Sequence, residues 1–322
     1  MSTPQSPKDI SLGQWSSARQ HHEHPSGALA PCAGKPAPIK IAIQGEPGSF
    51  SHEAALKFVP DACIVPCALS AEVFAALTEG AVDAIAIPIE NSLAGSVLEH
   101  FDLLLAHEVR VERETLLRIR HNLIALPGTG IDQIERVFSH PVALAQCRSY
   151  FRRHPRMESC AFYDTAGSVK QLMTLQDHRA AAIASQAAAR FYGAEILEAS
   201  IEDNPENYTR FFLIRRAADT VAAPEANKVS LAFSSQNRPG ALVAALNGFA
   251  ALDANMTKIE SRPVHGKPWE YIFFIDCQIP TPEVADRLLA SLQPHCAMIQ
   301  ELGRYREAEP LRADPAKETK ET

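Results

Sequence analysis

The chain has 322 residues, enough for about two domains of ordinary size. Hydrophobic residues make up 46% of it, which suits packed cores and is too many for a disordered chain. The formal net charge of -7, with no long basic run, argues against a nucleic-acid partner, and no window resembles a membrane span of roughly 20 apolar residues.

Targeting and metal-binding signals are weak. The N-terminus has no basic segment followed by an apolar core, so we expect no signal peptide. The seven cysteines are irregularly spaced, which favours reduced thiols in a cytoplasmic protein. Cys63 and Cys67 are four apart, but no second pair accompanies them, and we expect no metal site.

Both ends of the chain are predicted to be disordered tails. Residues 1–38 are rich in Ser, Pro, Gln and His and lack apolar periodicity. Residues 306–322 are polar and contain proline. The segment "HHEH" at 21–24 is interpreted as part of a solvated tail.

Residues 39–216 show an alternation of strands and helices. Strands are predicted over 39–44, 63–67, 83–90, 136–140, 180–185 and 211–214. Helices are predicted from Ser49 or Ser51 to Lys57, from Ser70 to near Gly80, and over 96–106, 142–152 and 186–192. This order implies an α/β fold with a mostly parallel sheet.

A second domain is predicted beyond a linker at 217–227, where the composition becomes Ala-rich and polar. Residues 228–305 then change to a βαββαβ order, which gives a ferredoxin-like sandwich. Its strands are predicted over 228–235, 256–263, 270–278 and 297–303, and its helices over 240–251 and 282–293. We expect the segment before the linker to remain active when it is cleaved from this domain.

The loops that follow the predicted strands carry hydroxyl, amide and glycine-rich segments. In an open α/β sheet, ligands bind beyond the carboxyl ends of the strands, where such groups suit a carboxylate. The segments are 45–55, 90–97, 139–147, 164–169 and 204–211. Each alone has a plainer interpretation, such as a helix cap or a turn. No GxSxG, P-loop or dinucleotide motif is present, so no organic cofactor is expected.

Taken together, these loops resemble those of monofunctional prephenate dehydratases with a C-terminal ACT regulatory domain. The resemblance covers about residues 40–303 and rests on the order and spacing of seven short motifs. They are "GEPGSFSHEAA", "IENSLAGSV", "SHPVALAQC", "DTAGSV", "NYTRF", "PGAL" and "IESRP".

The resemblance implies a catalytic region of two α/β lobes, like a periplasmic binding protein, with the active site in the cleft between them. It also implies the reaction, in which prephenate loses CO2 and its ring hydroxyl to give phenylpyruvate on the route to phenylalanine. Hydroxide leaves poorly, so the reaction needs a proton donor, while formation of the aromatic ring drives it without a cofactor.

The same resemblance assigns roles to Thr209 and Arg210. Thr209 would be the proton donor, or a hydrogen-bond donor, to the departing hydroxyl, and an electrostatic role is equally defensible because threonine is a poor acid. The Arg210 guanidinium matches two carboxylate oxygens. In a regular strand the two side chains point to opposite faces, so Arg210 is alternatively expected to brace the loop.

Further substrate-binding residues follow from the matched motifs. They are Ser49, Asn91, Ser92, Ser139, Gln146, Thr165 and Phe211. Two positions depart from the usual pattern: His52 replaces a common acidic residue and Val142 replaces a frequent glutamine.

The ACT motifs imply a phenylalanine effector. In this sequence they are Gly240, Ala241 and Leu242, followed by Glu260, Ser261, Arg262 and Pro263. The helix start at Pro239–Gly240 is expected to leave backbone N–H groups for a carboxylate. ACT domains usually pair, which implies a homodimer or homotetramer.

Two alternatives stay open at this point. An arogenate dehydratase performs the same elimination on the amino-acid analogue, and a single contact to a keto group or an ammonium would decide between them. A non-catalytic amino-acid sensor could use the same fold, because fold does not fix function.

Overall fold

The structure is a computed structural model that describes residues 38–220, 223–235, 238–264 and 269–309. The predicted tails, apart from Pro38 and residues 306–309, lie outside these residues, and so do two positions of the predicted linker. Within the described ranges, no helix is long and apolar enough to cross a membrane. The same residues include no group of three or more His, Cys, Asp or Glu side chains that could hold a metal ion.

The described residues contain fifteen strands, nine α-helices and two single-turn 3-10 helices, Ile131–Gln133 and Ala217–Asp219. The strands are β1 Lys40–Gln44, β2 Cys63–Cys67, β3 Ala84–Asn91, β4 Gly95–Ser96, β5 Val109–Arg118, β6 Asn122–Ala125, β7 Arg136–Ser139, β8 Glu158–Ala161, β9 Ala180–Ala184, β10 Glu195–Glu198, β11 Tyr208–Arg216, β12 Lys228–Ser235, β13 Asn255–Pro263, β14 Tyr271–Gln278 and β15 Cys296–Tyr305. The helices are α1 Phe50–Phe58, α2 Ser70–Thr78, α3 Leu98–Ala106, α4 Pro141–Ala145, α5 Arg148–Arg153, α6 Thr165–Leu175, α7 Gln186–Tyr192, α8 Ala241–Ala251 and α9 Pro282–Leu292.

The described residues divide into two compact units. The first unit holds residues 45–50 and 119–206, and the second holds residues 39–44, 51–118 and those from 207 onward. The first unit is built on a five-stranded sheet in the order β10-β6-β9-β7-β8. Every residue of its central strand β9 is buried, because apolar clusters cover both faces of the sheet.

The second unit contains two sheets. One has the order β2-β1-β3-β11-β5, with β4 paired to β3, and the other has the order β13-β14-β12-β15. The second of these is the ferredoxin-like sheet predicted for residues 228–305, so the predicted fold class is confirmed. It packs α8 and α9 against a core that includes Phe233, Phe249 and Leu288.

The two sheets of the second unit share one apolar core. Phe101 of α3 packs on Phe274 of β14 with ring centroids 4.8 Å apart. Gly303 of β15 lies so close to β5 that an added Cβ would be 2.2 Å from the Val111 carbonyl oxygen. A glycine is therefore required at this contact. The sheet β13-β14-β12-β15 is therefore packed on α3 and β5 and is not joined to them by the linker alone.

The prediction of a mostly parallel sheet is wrong. Parallel pairing holds for β1 with β2 and β3, and for β7 with β8 and β9. The remaining ladders of these two sheets are antiparallel. The long strand β5 was missed because three consecutive charged residues, Glu112, Arg113 and Glu114, interrupt "VRVERETLLR", so it shows neither a continuous apolar run nor a regular alternation.

The predicted helix over 142–152 is two helices, α4 and α5. Gln146 ends α4, and its carbonyl oxygen accepts the Asp203 amide at 2.7 Å. This contact with a distant loop replaces the next helical hydrogen bond, and the chain begins α5 at Arg148.

Candidate active site

Thr209 and Asn91 form a hydrogen-bonded pair at the junction of β11 and β3. The two residues are direct partners across the antiparallel ladder. The Asn91 Nδ2 amide donates to Thr209 Oγ1 at 2.9 Å and to Asn207 Oδ1 at 2.8 Å. Thr209 is 8% exposed. Because Asn91 donates into the threonine oxygen, the hydroxyl proton of Thr209 remains available for another acceptor.

The loop after Asn91 is fastened to the same strand. Ser92 donates its amide to the Tyr208 carbonyl at 2.8 Å, and Ser92 Oγ accepts the Tyr208 amide at 3.0 Å. Asn91 Oδ1 accepts the amides of Leu93 and Ala94 at 3.0 and 2.8 Å. Asn91 therefore uses its whole side chain, the oxygen to shape the turn and the nitrogen to hold Thr209.

Arg210 points to the opposite face of β11 from Thr209. Its Nε donates to Glu114 Oε2 at 2.8 Å, and its Nη1 lies 2.7 Å from Asp276 Oδ2. The guanidinium also lies over the Phe212 ring, 4.7 Å from the centroid. These contacts support the bracing role considered for Arg210, since its charge is neutralised by the protein's own carboxylates.

A buried polar cluster surrounds this guanidinium, which we call the Arg210 cluster. It consists of Arg210, Glu114, Lys228, Ser230, Asp276 and Tyr305, all at most 9% exposed. Lys228 Nζ lies 3.0 Å from Glu114 Oε1, and Ser230 Oγ lies 2.5 Å from Tyr305 Oη. Two cations thus meet two carboxylates, as burial requires.

The pKa values in the cluster reflect this balance. Burial alone would raise the pKa of the Asp276 carboxyl, but Arg210, Ser230 and Lys228 bring it below its ordinary value. Burial alone would lower the pKa of Arg210, but Asp276, Tyr305 and Glu114 hold it well above its ordinary value. Both groups therefore stay charged at neutral pH.

The first unit holds the other predicted substrate residues. Ser139 is fully buried, and its Oγ donates to the Ile183 carbonyl at 2.6 Å, so this proton is already used within the sheet. Gln146 Oε1 accepts from His121 Nε2 at 2.8 Å. Burial lowers the pKa of His121, which is therefore neutral at pH 7.

Two predicted residues lie at helix starts in this unit. Ser49 immediately precedes α1, and Thr165 is the first residue of α6. The α6 start is capped by Asp164, whose Oδ1 accepts the Gly167 amide at 2.7 Å. Burial and the neighbouring Glu46 raise the pKa of Asp164 to about 6, against the opposing effect of its bonds to backbone amides.

One of the predicted substrate contacts needs correction, and two residues of the site were missed. Phe211 is 1% exposed and belongs to the sheet core, because adjacent residues of β11 are covered on both faces. The structure gives it a packing role and no surface for substrate. Asn207 and His121 were missed. Asn207 was visible as the polar residue two positions before Thr209, whereas nothing in the sequence pairs His121 with Gln146.

The predicted effector residues fall into two sets. Gly240 has φ of +77° and caps α8, and the Ala241 amide donates to the Arg238 carbonyl at 3.2 Å. That amide is therefore used, and the helix-terminal amides of Leu242 and Val243 remain as the donors at this start. Ser261 and Pro263 are exposed on the edge strand β13.

Glu260 and Arg262 point away from their own sheet toward β4 and α3. Glu260 Oε2 accepts from Ser96 Oγ at 2.7 Å, and Arg262 Nε donates to Asp102 Oδ1 at 3.1 Å. The charged residues of the effector motif thus contact β4 and α3, a placement that spacing along the chain does not reveal.

The fold and these residues define an α/β protein with a hydrogen-bonded threonine–asparagine pair and an appended ACT-type sheet. The sequence profile described as prephenate dehydratase matches residues 41–219, and that described as ACT domain matches residues 229–292. The chain belongs to the prephenate dehydratase family, as its loops indicated.

Individual relatives agree with this assignment. The chain is 37% identical over 277 residues to "Arogenate dehydratase/prephenate dehydratase 2, chloroplastic" of Arabidopsis thaliana, covering 83% of this chain and 72% of the relative. A solved prephenate dehydratase of Arthrobacter aurescens, in complex with L-Phe, is 31% identical with a TM-score of 0.76, covering 86% of this chain and 93% of that one.

A third similar structure carries a different printed activity. It is described as GqqA, "a novel type of quorum quenching acylases", and is 32% identical with a TM-score of 0.77, covering 84% of this chain and 98% of that one. Since one fold supports several reactions, the function of this chain is argued from its site residues.

Proposed function

We propose that the protein converts prephenate to phenylpyruvate, with loss of CO2 and water, in phenylalanine biosynthesis. The observation that carries this proposal is the contact of 2.9 Å between Asn91 Nδ2 and Thr209 Oγ1. This contact leaves the Thr209 hydroxyl proton for a substrate oxygen, and Thr209 lies in the "TRF" segment that matches the family.

The elimination transfers one proton and shifts electron pairs from the breaking C–CO2 bond through the ring to the departing oxygen. The electrons of the breaking C–CO2 bond complete the aromatic ring, the ring C–O bond breaks, and the departing hydroxyl takes a proton to leave as water. Donation by Asn91 into Thr209 Oγ1 polarises the threonine O–H and makes it a better donor. Thr209 thus stabilises the charge that develops on the leaving oxygen, a contribution of about 10²–10³ in rate for one positioned donor.

Arg210 is not assigned to a substrate carboxylate, because its guanidinium is neutralised by Glu114 and Asp276. Ser49, just before α1, and Thr165, the first residue of α6, keep their proposed roles as substrate contacts, although the Gly167 amide of α6 is already used by Asp164. Gln146 adds a side-chain amide whose orientation His121 fixes. No step in this scheme calls for a cofactor.

Phenylalanine is proposed as a feedback effector of the ACT domain. The match of residues 229–292 to the ACT profile and the L-Phe in the Arthrobacter aurescens relative support this role. Gly240, which precedes α8, has a left-handed backbone conformation and no atom within 4 Å of the position of an added Cβ, so a ligand can approach the backbone amides of the helix start.

Arogenate is the second candidate substrate, favoured by the printed name of the Arabidopsis thaliana relative. The test is to measure kcat/KM of the purified full chain on both compounds, detecting phenylpyruvate and phenylalanine by chromatography. The proposal expects higher kcat/KM on prephenate. Higher kcat/KM on arogenate would make the protein an arogenate dehydratase, and phenylalanine binding without turnover of either compound would make it a sensor.

We further propose a homodimer or homotetramer in the cytoplasm. Exposed apolar side chains on the C-terminal sheet and helix, Val243, Ile259 and Tyr271, support self-association. The six cysteines of the described part of the chain are free thiols, which fits a reducing compartment. Light scattering on the purified chain tests the assembly, and a monomeric mass would contradict it.

A further inference from the structure

Lys258 lies on β13 in the sheet β13-β14-β12-β15, which we call the regulatory sheet, and its side chain contacts β3, β4 and α3. Its side chain is 9% exposed, and its Nζ lies 3.0 Å from Glu90 Oε1 of β3. Nζ also donates to Ser96 Oγ of β4 at 2.8 Å and lies 5.7 Å from the Phe101 ring centroid. Burying a flexible lysine among β3, β4 and α3 costs side-chain entropy and hydration, which the contacts with Glu90, Ser96 and Phe101 offset.

Two residues that Lys258 contacts, Glu90 and Ser96, lie close to the Asn91–Thr209 pair in the β3–β4–β11 ladder. Glu90 precedes Asn91 in β3, and Ser96 pairs with Glu90 across the β3–β4 hairpin, residues 84–96. Glu90 Oε2 lies 3.7 Å from Arg210 Nη1, and Arg210 follows Thr209 in β11. Lys258 is therefore linked to Asn91 through the neighbouring Glu90, and to Thr209 through Glu90 and the neighbouring Arg210.

Glu260 shares these contacts. Its Oε2 accepts from Ser96 Oγ and lies 3.7 Å from Lys258 Nζ, while its side chain remains 28% exposed. A partly exposed carboxylate of this kind attracts the ammonium group of an amino acid. An ammonium bound at Glu260 competes with Ser96 and Lys258 for the same oxygens.

We infer that Lys258 is a positioning residue for the Asn91–Thr209 pair, and that an amino-acid effector captured by Glu260 releases the β3–β4 hairpin from the regulatory sheet. The second half of this inference rests on the proposed regulation by phenylalanine. The effector binds the released arrangement better than the attached one, which is the condition for a ligand to shift the population. The direction is inhibition, because the released hairpin no longer holds Asn91 against Thr209.

The experiment compares Lys258→Met and Ser96→Ala with wild type and with Lys40→Met. Lys258→Met keeps the length of the side chain, and Ser96→Ala removes one hydroxyl. Lys40 is an exposed lysine on β1 and serves as the matched control. Hydrogen exchange of the hairpin amides is followed by mass spectrometry on a peptide that covers residues 89–97, and kcat and KM are measured on the preferred substrate.

Both test variants should speed hairpin exchange and lower kcat, by about tenfold for Lys258→Met, with KM changed less than about twofold. Phenylalanine should speed the same exchange in wild type, and Ser96→Ala should bind phenylalanine several-fold tighter, since a competitor for Glu260 is gone. Exchange and kcat of Lys258→Met equal to those of Lys40→Met would overturn the inference. Unchanged exchange in wild type on saturation with phenylalanine would overturn its effector half. Failure of wild type to convert prephenate or arogenate would contradict the proposed function, whereas the exchange comparison still decides the inference.

Discussion

Replacing Asp276 by asparagine should destabilise the second unit through the Arg210 cluster. The Asp276 side chain is 7% exposed, and its Oδ2 lies 2.7 Å from Arg210 Nη1. Asparagine preserves the shape and can still accept from Ser230, so the change removes a charge and little else. Arg210 and Lys228 would then face Glu114 as the one fully buried carboxylate of the cluster.

The cost follows from the loss of one partner of a buried ion pair, which is about 3–5 kcal/mol. Glu114 stays 2.8 Å from the guanidinium and Glu90 stays at 3.7 Å, so we expect the lower end, about 3 kcal/mol. The folded-state pKa of Asp276 lies below its ordinary value. The pair therefore stabilises the fold above the unfolded pKa of about 3.9, and this contribution is lost as the pH falls through the folded pKa.

Chemical denaturation followed by far-UV circular dichroism measures this cost. Asp286→Asn is the matched control, because Asp286 pairs with Arg304 at the surface. The free energy of unfolding should drop by about 3 kcal/mol for Asp276→Asn between pH 6 and 8, far more than for the control, and the gap to wild type should narrow below about pH 4. Equal stability of the two variants at pH 7 would refute the reasoning.

Three further predictions concern other parts of the molecule. The folded-state pKa of Asp164 is raised from 3.8 to about 6. The free energy of unfolding of wild type should therefore rise by up to about 3 kcal/mol relative to that of Asp164→Asn as the pH falls from about 6.5 to 4. A difference between the two proteins that stays constant over this pH range would contradict the prediction. Gly240→Val should abolish phenylalanine binding in calorimetry, because a β-branched residue is strained at φ of +77°. Gly128→Val, at φ of +78° in the other unit, should bind normally, and equal affinities would exclude the Gly240 site. Gly303→Ala should lose about 1–3 kcal/mol of stability on steric grounds, whereas Gly130→Ala meets nothing closer than 3.6 Å and should be neutral in the same assay.

The sequence predicted most elements and the family, and it failed where tertiary contacts decide. The near-continuous apolar strands β3 and β9 were recognised because both their faces are buried. Strand β5 was missed because the charged residues Glu112, Arg113 and Glu114 interrupt its alternation. Strand β11 pairs antiparallel with β3 and β5 after the intervening residues 119–206 have formed the first unit. Local periodicity in the sequence does not predict this long-range pairing.

The role of Arg210 shows the same limit at the site. Strand geometry predicted that Thr209 and Arg210 face opposite ways, and the contacts of each agree. The partners of Arg210, Glu114 and Asp276, are 96 and 66 positions away along the chain, and no motif links them. Because of these contacts and the shared core, we expect that a fragment ending before the ACT domain would be destabilised, contrary to the expectation from linker composition.

The role of Thr209 is tested most directly by the turnover of Thr209→Ala and Thr209→Ser. Both are compared with Thr115→Ala, a buried threonine of the neighbouring strand β5. With folding verified by circular dichroism, kcat should fall about 10²–10³-fold for Thr209→Ala and less than about tenfold for Thr209→Ser, which keeps the hydroxyl. Thr115→Ala should turn over like wild type. Equal turnover by Thr209→Ala and Thr115→Ala would show that the Thr209 hydroxyl does not serve the departing oxygen.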